Sequence, residues 1–156
     1  MPGLIHLLLI GFSWSIFATN ASPHETRYDY NSHIPSAVLK NGSVNGVRCS
    51  EYNQDLFLGV PYAQPPVGQL RFKNPQSLNT SFAAPLSADR YPLDCVGYGE
   101  NVTTSEDCLY LNVIRPSHHE HLSLPVAVWI FGGGLRGGGA AGLTCVHITH
   151  TLKLTK

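Results

Sequence analysis

Residues 105–116, which read SEDCLYLNVIRP, contain the pattern that decides the fold of this chain. Within residues 108–114, the apolar side chains Leu109, Leu111 and Val113 occur at every second position. Such alternation is typical of a β-strand, in which successive side chains point to opposite faces. We therefore predict a strand over residues 108–114, followed by a polar loop that begins at Arg115.

The residues before this stretch predict a small antiparallel β-sheet. Residues 56–60 (LFLGV) form a second strand candidate, which Pro61 ends. Two Asn-Gly pairs, at residues 41–42 and 45–46, lie among short β-prone runs and predict tight hairpin turns. Residues 61–75 (PYAQPPVGQLRFKNP) contain too many prolines for a helix or a central strand.

The residues after this stretch predict a central strand followed by a glycine turn. Residues 126–131 (VAVWIF) are uninterrupted and apolar, which is typical of a strand buried on both faces of a sheet. Three glycines follow, at residues 132–134. Residues 132–137 also match the dinucleotide-binding pattern G-x-G-x-x-G, but no helix pattern and no acidic residue follow them, which argues against that function.

The N-terminus predicts a secretory signal peptide over residues 1–21. Residues 4–17 (LIHLLLIGFSWSIF) are apolar but shorter than the roughly 20 residues that span a bilayer. Small residues follow, as a signal-peptidase site requires. A buried helix or an uncleaved anchor is the alternative.

Sequons and cysteines agree with a secretory destination. Asn-x-Ser/Thr sequons occur at Asn20, Asn41, Asn79 and Asn101, and we expect glycans at the last three. The chain also contains Cys49, Cys95, Cys108 and Cys145, which an oxidising compartment can pair. Four cysteines allow three full pairings, and their positions alone do not choose among them.

Composition excludes some classes of function. The formal net charge is zero and no basic stripe is present, so nucleic-acid binding is not expected. Because 43% of the residues are apolar and only 13% are charged, the chain should bury a core. The polar run at residues 118–121 (HHEH) contains possible metal ligands, but its setting between strands favours a solvated surface, and no metal or other cofactor is expected.

Three segments resemble type B carboxylesterases, the family of fungal lipases and cholinesterases. They are residues 58–74 (LGVPYAQPPVGQLRFKN), 105–116 and 124–134 (LPVAVWIFGGG), in the family's order and approximate spacing. The resemblance implies an α/β hydrolase fold, of which this chain is the N-terminal portion. It should contain the small antiparallel sheet and then the first strands of the central sheet, mostly β and loop.

The expected organisation has four parts. They are a signal peptide at 1–21, an extended arm at 22–36, a partial carboxylesterase domain at 37–134, and a tail at 135–156 that departs from the family pattern.

The resemblance also implies roles for six residues. Gly133 and Gly134 would supply backbone oxyanion donors, Cys95 and Cys108 would form a disulfide, and Arg71 and Glu106 would form a structural salt bridge. Cys49 and Cys145 have no counterpart in the family pattern, and we do not expect them to pair.

The family's catalytic serine is absent from these 156 residues. The family attacks esters with a serine in a Gly-x-Ser-x-Gly elbow, assisted by a histidine and an acid. The nearest match, residues 11–15 (GFSWS), lacks the final glycine. We therefore expect a truncated piece of a secreted ester hydrolase that is inactive and aggregation-prone alone, has no stable membrane anchor, and meets an ester or lipid substrate only in a full-length form. The alternative is a non-catalytic secreted β-rich or cholinesterase-like binding module.

Overall fold

The computed structural model describes residues 33–98, 103–134 and 136–141. The predicted signal peptide, most of the predicted arm and most of the predicted tail lie outside these residues, as do Asn20, Asn101 and Cys145. Within the described part of the chain, no helix is long and apolar enough to cross a membrane.

Short strands dominate the described residues. Two 3₁₀ helices, Ser50–Tyr52 and Gly68–Leu70, interrupt them, and no α-helix is present in the described ranges. The strands are β1 Ser36–Leu39, β2 Gly42–Asn45, β3 Val47–Cys49, β4 Gln54–Pro61, β5 Leu86–Ser87, β6 Asp94–Cys95, β7 Thr104–Ser105 and β8 Tyr110–Pro116.

These strands form three small sheets. β3, β4 and β8 make an antiparallel sheet with β4 in the centre. In a second sheet, β2 pairs antiparallel with β1 and parallel with β5. The third sheet is the parallel pair of β6 and β7. The predicted antiparallel sheet is therefore present, and the parallel pairs are additional.

The core lies on both faces of β4. This strand contains the predicted LFLGV run, and six of its eight residues are buried. One apolar cluster packs on each face because successive side chains of β4 point in opposite directions. The clusters are Val47, Cys49, Leu56 and Leu58 on one side and Val44, Phe57, Val60 and Ala88 on the other.

Of the two Asn-Gly pairs, only the first lies at a hairpin. Leu39 pairs with Gly42, so Lys40 and Asn41 form the tip between β1 and β2. The prediction of a second hairpin turn at residues 45–46 was wrong. Gly46 instead carries the chain from β2 to β3 in a different sheet, and a Cβ there would overlap the carbonyl oxygen of Leu56.

β8 forms where alternation predicts a strand, but it begins at Tyr110 and ends at Pro116, two residues later at each end than predicted. Burial alternates along the strand, with Leu111 and Val113 on the more exposed face and Asn112 and Ile114 on the more buried one. The prediction that a loop begins at Arg115 was wrong. That residue pairs in register with Asp55 of β4, and the strand ends only at Pro116.

Residues 126–131 do not form the predicted buried strand. Val126 is 86% exposed and Ile130 is 84% exposed, and the segment has no strand pairing within the described residues. A central strand needs neighbours that accept its backbone hydrogen bonds and cover its faces. No described strand pairs with this segment, so its apolar side chains are left exposed.

Candidate functional site

A tight turn follows the exposed apolar run. We call Gly132–Gly134 together with residues 136–138 the glycine turn. The carbonyl oxygen of Gly133 accepts backbone hydrogen bonds from Arg136 at 3.1 Å and from Gly137 at 3.4 Å. A Cβ on Gly133 would overlap the carbonyl oxygen of Gly137, and Gly134 has a φ of 61°. Close backbone approach and a left-handed conformation therefore both require glycine here.

Gly133 and Gly134 are the predicted oxyanion donors, and the structure places both glycines at the surface. Both residues are exposed. Within the described part of the chain, neither amide donates a backbone hydrogen bond. Backbone N–H groups that point at a developing oxyanion stabilise it, and these two amides have no backbone acceptor among the described residues.

The glycine turn is attached to the loop that follows β6. Tyr98 donates its backbone N–H to the carbonyl oxygen of Arg136 at 2.6 Å. The Arg136 guanidinium also lies 5.5 Å from the centre of the Tyr98 ring. A Cβ on Gly97 would come within 2.9 Å of the same Arg136 oxygen, so a small residue permits this contact. Sequence reasoning missed the contact because it joins two loops without a recognisable spacing.

A disulfide closes that loop at its base. The structure joins Cys95 and Cys108, whose Cα atoms are 5.1 Å apart. β6, which contains Cys95, runs parallel to β7 just before Cys108. Cys49 is fully buried in the core and forms no disulfide with another described residue.

The salt bridge implied by the family resemblance is present. Arg71 Nε lies 2.8 Å from Glu106 Oε1. Both side chains are exposed, at 56% for Arg71 and 40% for Glu106. An exposed pair of this kind contributes at most about 1 kcal/mol because water competes with and screens the attraction.

A second charge cluster is centred on Asp55, a buried residue of β4, and sequence reasoning missed it. Asp55 is completely buried, and its carboxylate accepts hydrogen bonds from Ser117 at 2.7 Å, Arg48 at 2.9 Å and Arg115 at 3.2 Å. Burial opposes ionisation, but these donors outweigh it, so the pKa of Asp55 lies below its ordinary value. The available signal was an acidic residue at the start of an apolar strand. Its partners come from β3, from β8 and from the turn after β8, and they are not adjacent to it in sequence.

The polar loop after β8 shows no metal centre. His119 Nδ1 lies 2.7 Å from the carbonyl oxygen of Ser117, and Glu120 lies 3.6 Å from Arg115. Among the described residues, no three His, Cys, Asp or Glu side chains gather closely enough to bind a metal ion.

The comparison with protein families identifies the chain. The model of the carboxylesterase family matches residues 34–152, which is most of the sequence. The chain belongs to the carboxylesterase family. The match extends past Gly134, the boundary at which the family pattern was predicted to stop.

Individual relatives are esterases and lipases. The chain is 39% identical to the fumonisin B1 esterase of Sphingopyxis macrogoltabida, covering 65% of this chain and 19% of the relative. It is 41% identical to a medium-chain fatty acyl-CoA hydrolase precursor of Anas platyrhynchos, covering 69% and 23%. It is 36% identical to lipase 1 of Geotrichum candidum, covering 70% and 25%. The chain therefore spans about a quarter or less of the length of these relatives.

A solved structure supports the fold. The chain superimposes on PNB esterase with a TM-score of 0.59 and 35% sequence identity, covering 68% of this chain and 23% of that one. The predicted fold class is confirmed: this carboxylesterase-family chain has an N-terminal portion of the α/β hydrolase fold, composed mainly of strands and loops.

Proposed function

We propose that this chain is the N-terminal portion of a secreted carboxylic ester hydrolase that acts through a serine acyl-enzyme. Its part of the active site would be the glycine turn, whose Gly133 and Gly134 amides would hold the oxyanion. The observation that carries this proposal is a pair of exposed glycines whose amides have no described backbone acceptor, in a chain of the carboxylesterase family.

The 156 residues would not hydrolyse esters alone. Acyl-enzyme chemistry needs a hydroxyl nucleophile beside an imidazole base. The sequence contains no Gly-x-Ser-x-Gly elbow to present such a hydroxyl. Oxyanion donors stabilise charge only after a nucleophile has attacked, so this chain would supply one component of catalysis.

The substrate class follows from what the relatives share. They are named as a fumonisin B1 esterase, a fatty acyl-CoA hydrolase and a lipase. Esters and thioesters both pass through a tetrahedral oxyanion, which the same pair of amides can stabilise. The full-length form would therefore act on a carboxylic ester or a lipid, without a cofactor.

Secretion is supported by features of different kinds. The N-terminal apolar segment has the length of a signal peptide, and four sequons follow or border it. The Cys95–Cys108 disulfide is the kind of bond that persists in an oxidising compartment.

The first test uses the purified chain alone. Residues 22–156, with the mass verified, are assayed with p-nitrophenyl acetate and butyrate beside buffer and a mock preparation. We expect no product release above either control. A rate well above both would contradict the proposal, because it would require a nucleophile that the sequence does not provide.

The second test supplies the missing residues from a relative. Residues 34–134 replace the matching region of Geotrichum candidum lipase 1, and Gly134→Ala is compared with Gly132→Ala in the hybrid. Both sites have room for a Cβ, but only Gly134 has a left-handed φ. Displacing one oxyanion donor should lower kcat by about a hundredfold to a thousandfold in Gly134→Ala alone. Equal activity of the two variants would contradict the assigned role.

A further inference from the structure

Two of the sequons meet on one surface of the protein. Asn41 lies at the tip of the β1–β2 hairpin, and Asn79 lies in the irregular segment packed against that tip. We propose that Asn79 is the N-glycan acceptor on this surface, whereas Asn41, where the sequon alone predicts a second glycan, is a structural clamp that stays unmodified in the folded protein. The proposal rests on the secretory part of the proposed function.

The side-chain amide nitrogen of Asn41 uses both of its hydrogens in the fold. Its Nδ2 donates one hydrogen bond to the carbonyl oxygen of Leu78 at 2.8 Å and another to that of Thr80 at 2.9 Å. The backbone carbonyl oxygen of Asn41 accepts a hydrogen bond from the backbone N–H of Phe82 at 2.6 Å. The side chain of Asn41 faces two backbone carbonyl oxygens, which can only accept hydrogen bonds. The amide nitrogen, which donates, must therefore point towards them, and the amide oxygen must point away.

A glycan on Asn41 would break this arrangement. N-glycosylation replaces one of the two Nδ2 hydrogens by a sugar carbon, so at least one of the two hydrogen bonds must be lost. The sugar would also enter the space between the hairpin tip and the segment around Thr80. Because Asn41 is only partly exposed, the modified residue would push that segment away from the hairpin.

Asn79 has the opposite environment. Its side chain is exposed and forms no hydrogen bond to any described residue. The carbonyl groups of its two neighbours, Leu78 and Thr80, are the ones that Asn41 holds. The clamp therefore fixes the backbone on either side of Asn79 and leaves the Asn79 amide free in solvent.

The modification is a group transfer from a polyprenyl pyrophosphate-linked oligosaccharide in the secretory pathway. The Nδ2 of Asn79 attacks the first sugar carbon, the new N–C bond forms, and the bond from that carbon to the pyrophosphate oxygen breaks. The polyprenyl pyrophosphate leaves, and the amide nitrogen loses one proton. No oxidant or reductant takes part.

The experiment expresses residues 22–156 behind a heterologous signal peptide in a eukaryotic host. Secreted protein is treated with N-glycosidase in ¹⁸O water, and mass spectrometry of its peptides locates each site that carried a glycan. We expect label at Asn79 and none at Asn41. Label at Asn41 in the secreted protein would overturn the proposal, and so would the absence of label at Asn79.

Sequon variants separate modification from folding. Ser81→Ala removes the Asn79 sequon and Ser43→Ala removes the Asn41 sequon, while both asparagines remain. We expect the mass of one glycan to be lost in Ser81→Ala and no change in Ser43→Ala. In contrast, Asn41→Asp removes both donors and should lower the urea midpoint without changing glycan mass; an unchanged midpoint would refute the clamp.

The borrowed signal peptide keeps this result separate from the proposed function. Retention of the chain with its own first 21 residues would contradict its secretion but would leave the comparison of Asn79 with Asn41 intact. Conversely, glycan at Asn41 would leave the ester-hydrolase assignment unchanged.

Discussion

The side-chain oxygen of Asn112 accepts a hydrogen bond from the backbone N–H of Gly59 at 2.9 Å. The bond lies where the register between β4 and β8 shifts, between Phe57 and Val60. A β-bulge leaves one backbone group without its ladder partner. Asn112, on the neighbouring strand, supplies that partner, so residues from two of the family-like segments complete one structural feature.

We predict that Asn112→Ala destabilises the fold. The Gly59 N–H would lose its acceptor in a partly buried position, which costs about 1–3 kcal/mol. Equilibrium unfolding in urea measures the loss. Asn112→Asp is the matched control because it keeps an acceptor oxygen at the same place, and it should lose less. Equal losses in the two variants would show that the acceptor is unimportant.

Gly59 itself should not tolerate a side chain. Its φ is 74°, and a Cβ would lie 3.1 Å from the carbonyl oxygen of Arg90. Gly68 has a similar φ of 54° but has nothing within 4 Å of a Cβ. Both alanine variants bear the left-handed backbone cost of about 1–2 kcal/mol, and only Gly59→Ala adds the clash. The urea midpoint should therefore fall further for Gly59→Ala, and the reverse order would contradict the bulge geometry.

Asp55→Asn should be strongly destabilising at neutral pH. The substitution removes the charge that Arg48 and Arg115 surround, at a cost of about 2–4 kcal/mol. Asp89→Asn is the control, because its partner Arg90 is largely exposed and the pair contributes less than about 1 kcal/mol.

Acid should remove the same contribution from the unmodified protein. The pKa of Asp55 is lowered in the folded state, so its stabilisation is complete above the ordinary aspartate pKa and is lost as pH falls through the folded value. The difference in unfolding free energy between the unmodified chain and Asp55→Asn should shrink on acidification from pH 7 towards pH 3. A difference that stays constant with pH would contradict the role of the charge.

The disulfide should stabilise more than the neighbouring salt bridge. Cys95 and Cys108 are separated by 13 residues in sequence, and closing a loop of about this size contributes about 3 kcal/mol in the chain-entropy model. Replacing both cysteines by alanine should therefore lower the unfolding free energy by more than Glu106→Gln, which breaks an exposed pair. If the two variants lost similar amounts of unfolding free energy, the loop between Cys95 and Cys108 would already be ordered in the unfolded chain.

Local patterns predicted β4 and β8 because each depends on residues that are close in sequence. Alternation and flanking prolines are visible in the chain itself, so strands were predicted correctly at residues 56–60 and in most of 108–114, although β8 begins and ends two residues later. Contacts between distant segments were not visible. Asp55 meets Arg115 and Ser117 some 60 residues away, and Tyr98 meets Arg136 across two loops. Arg71 and Glu106 were anticipated only through the family resemblance.

The run at residues 126–131 failed as a prediction for a different reason. Its composition is that of a central strand, but a strand's burial depends on neighbours that composition cannot supply. Val126, Val128 and Ile130 are exposed, and they occur at every second position. An extended segment with free backbone groups and apolar side chains is a template for association.

We therefore predict that residues 22–156, the chain without its predicted signal peptide, associate in solution through this segment. Burying Val128 and Ile130 would contribute about 1.5–3 kcal/mol each, so Val128→Glu with Ile130→Glu should raise the dissociation constant by about tenfold or more per residue. Sedimentation velocity over a concentration series measures this shift. His121→Glu with Ser123→Glu is the matched control, because it adds two negative charges at exposed positions just before the segment without removing its apolar surface. Association that responds equally to both changes would reflect net charge alone, and a chain that stays monomeric at all concentrations would contradict the prediction.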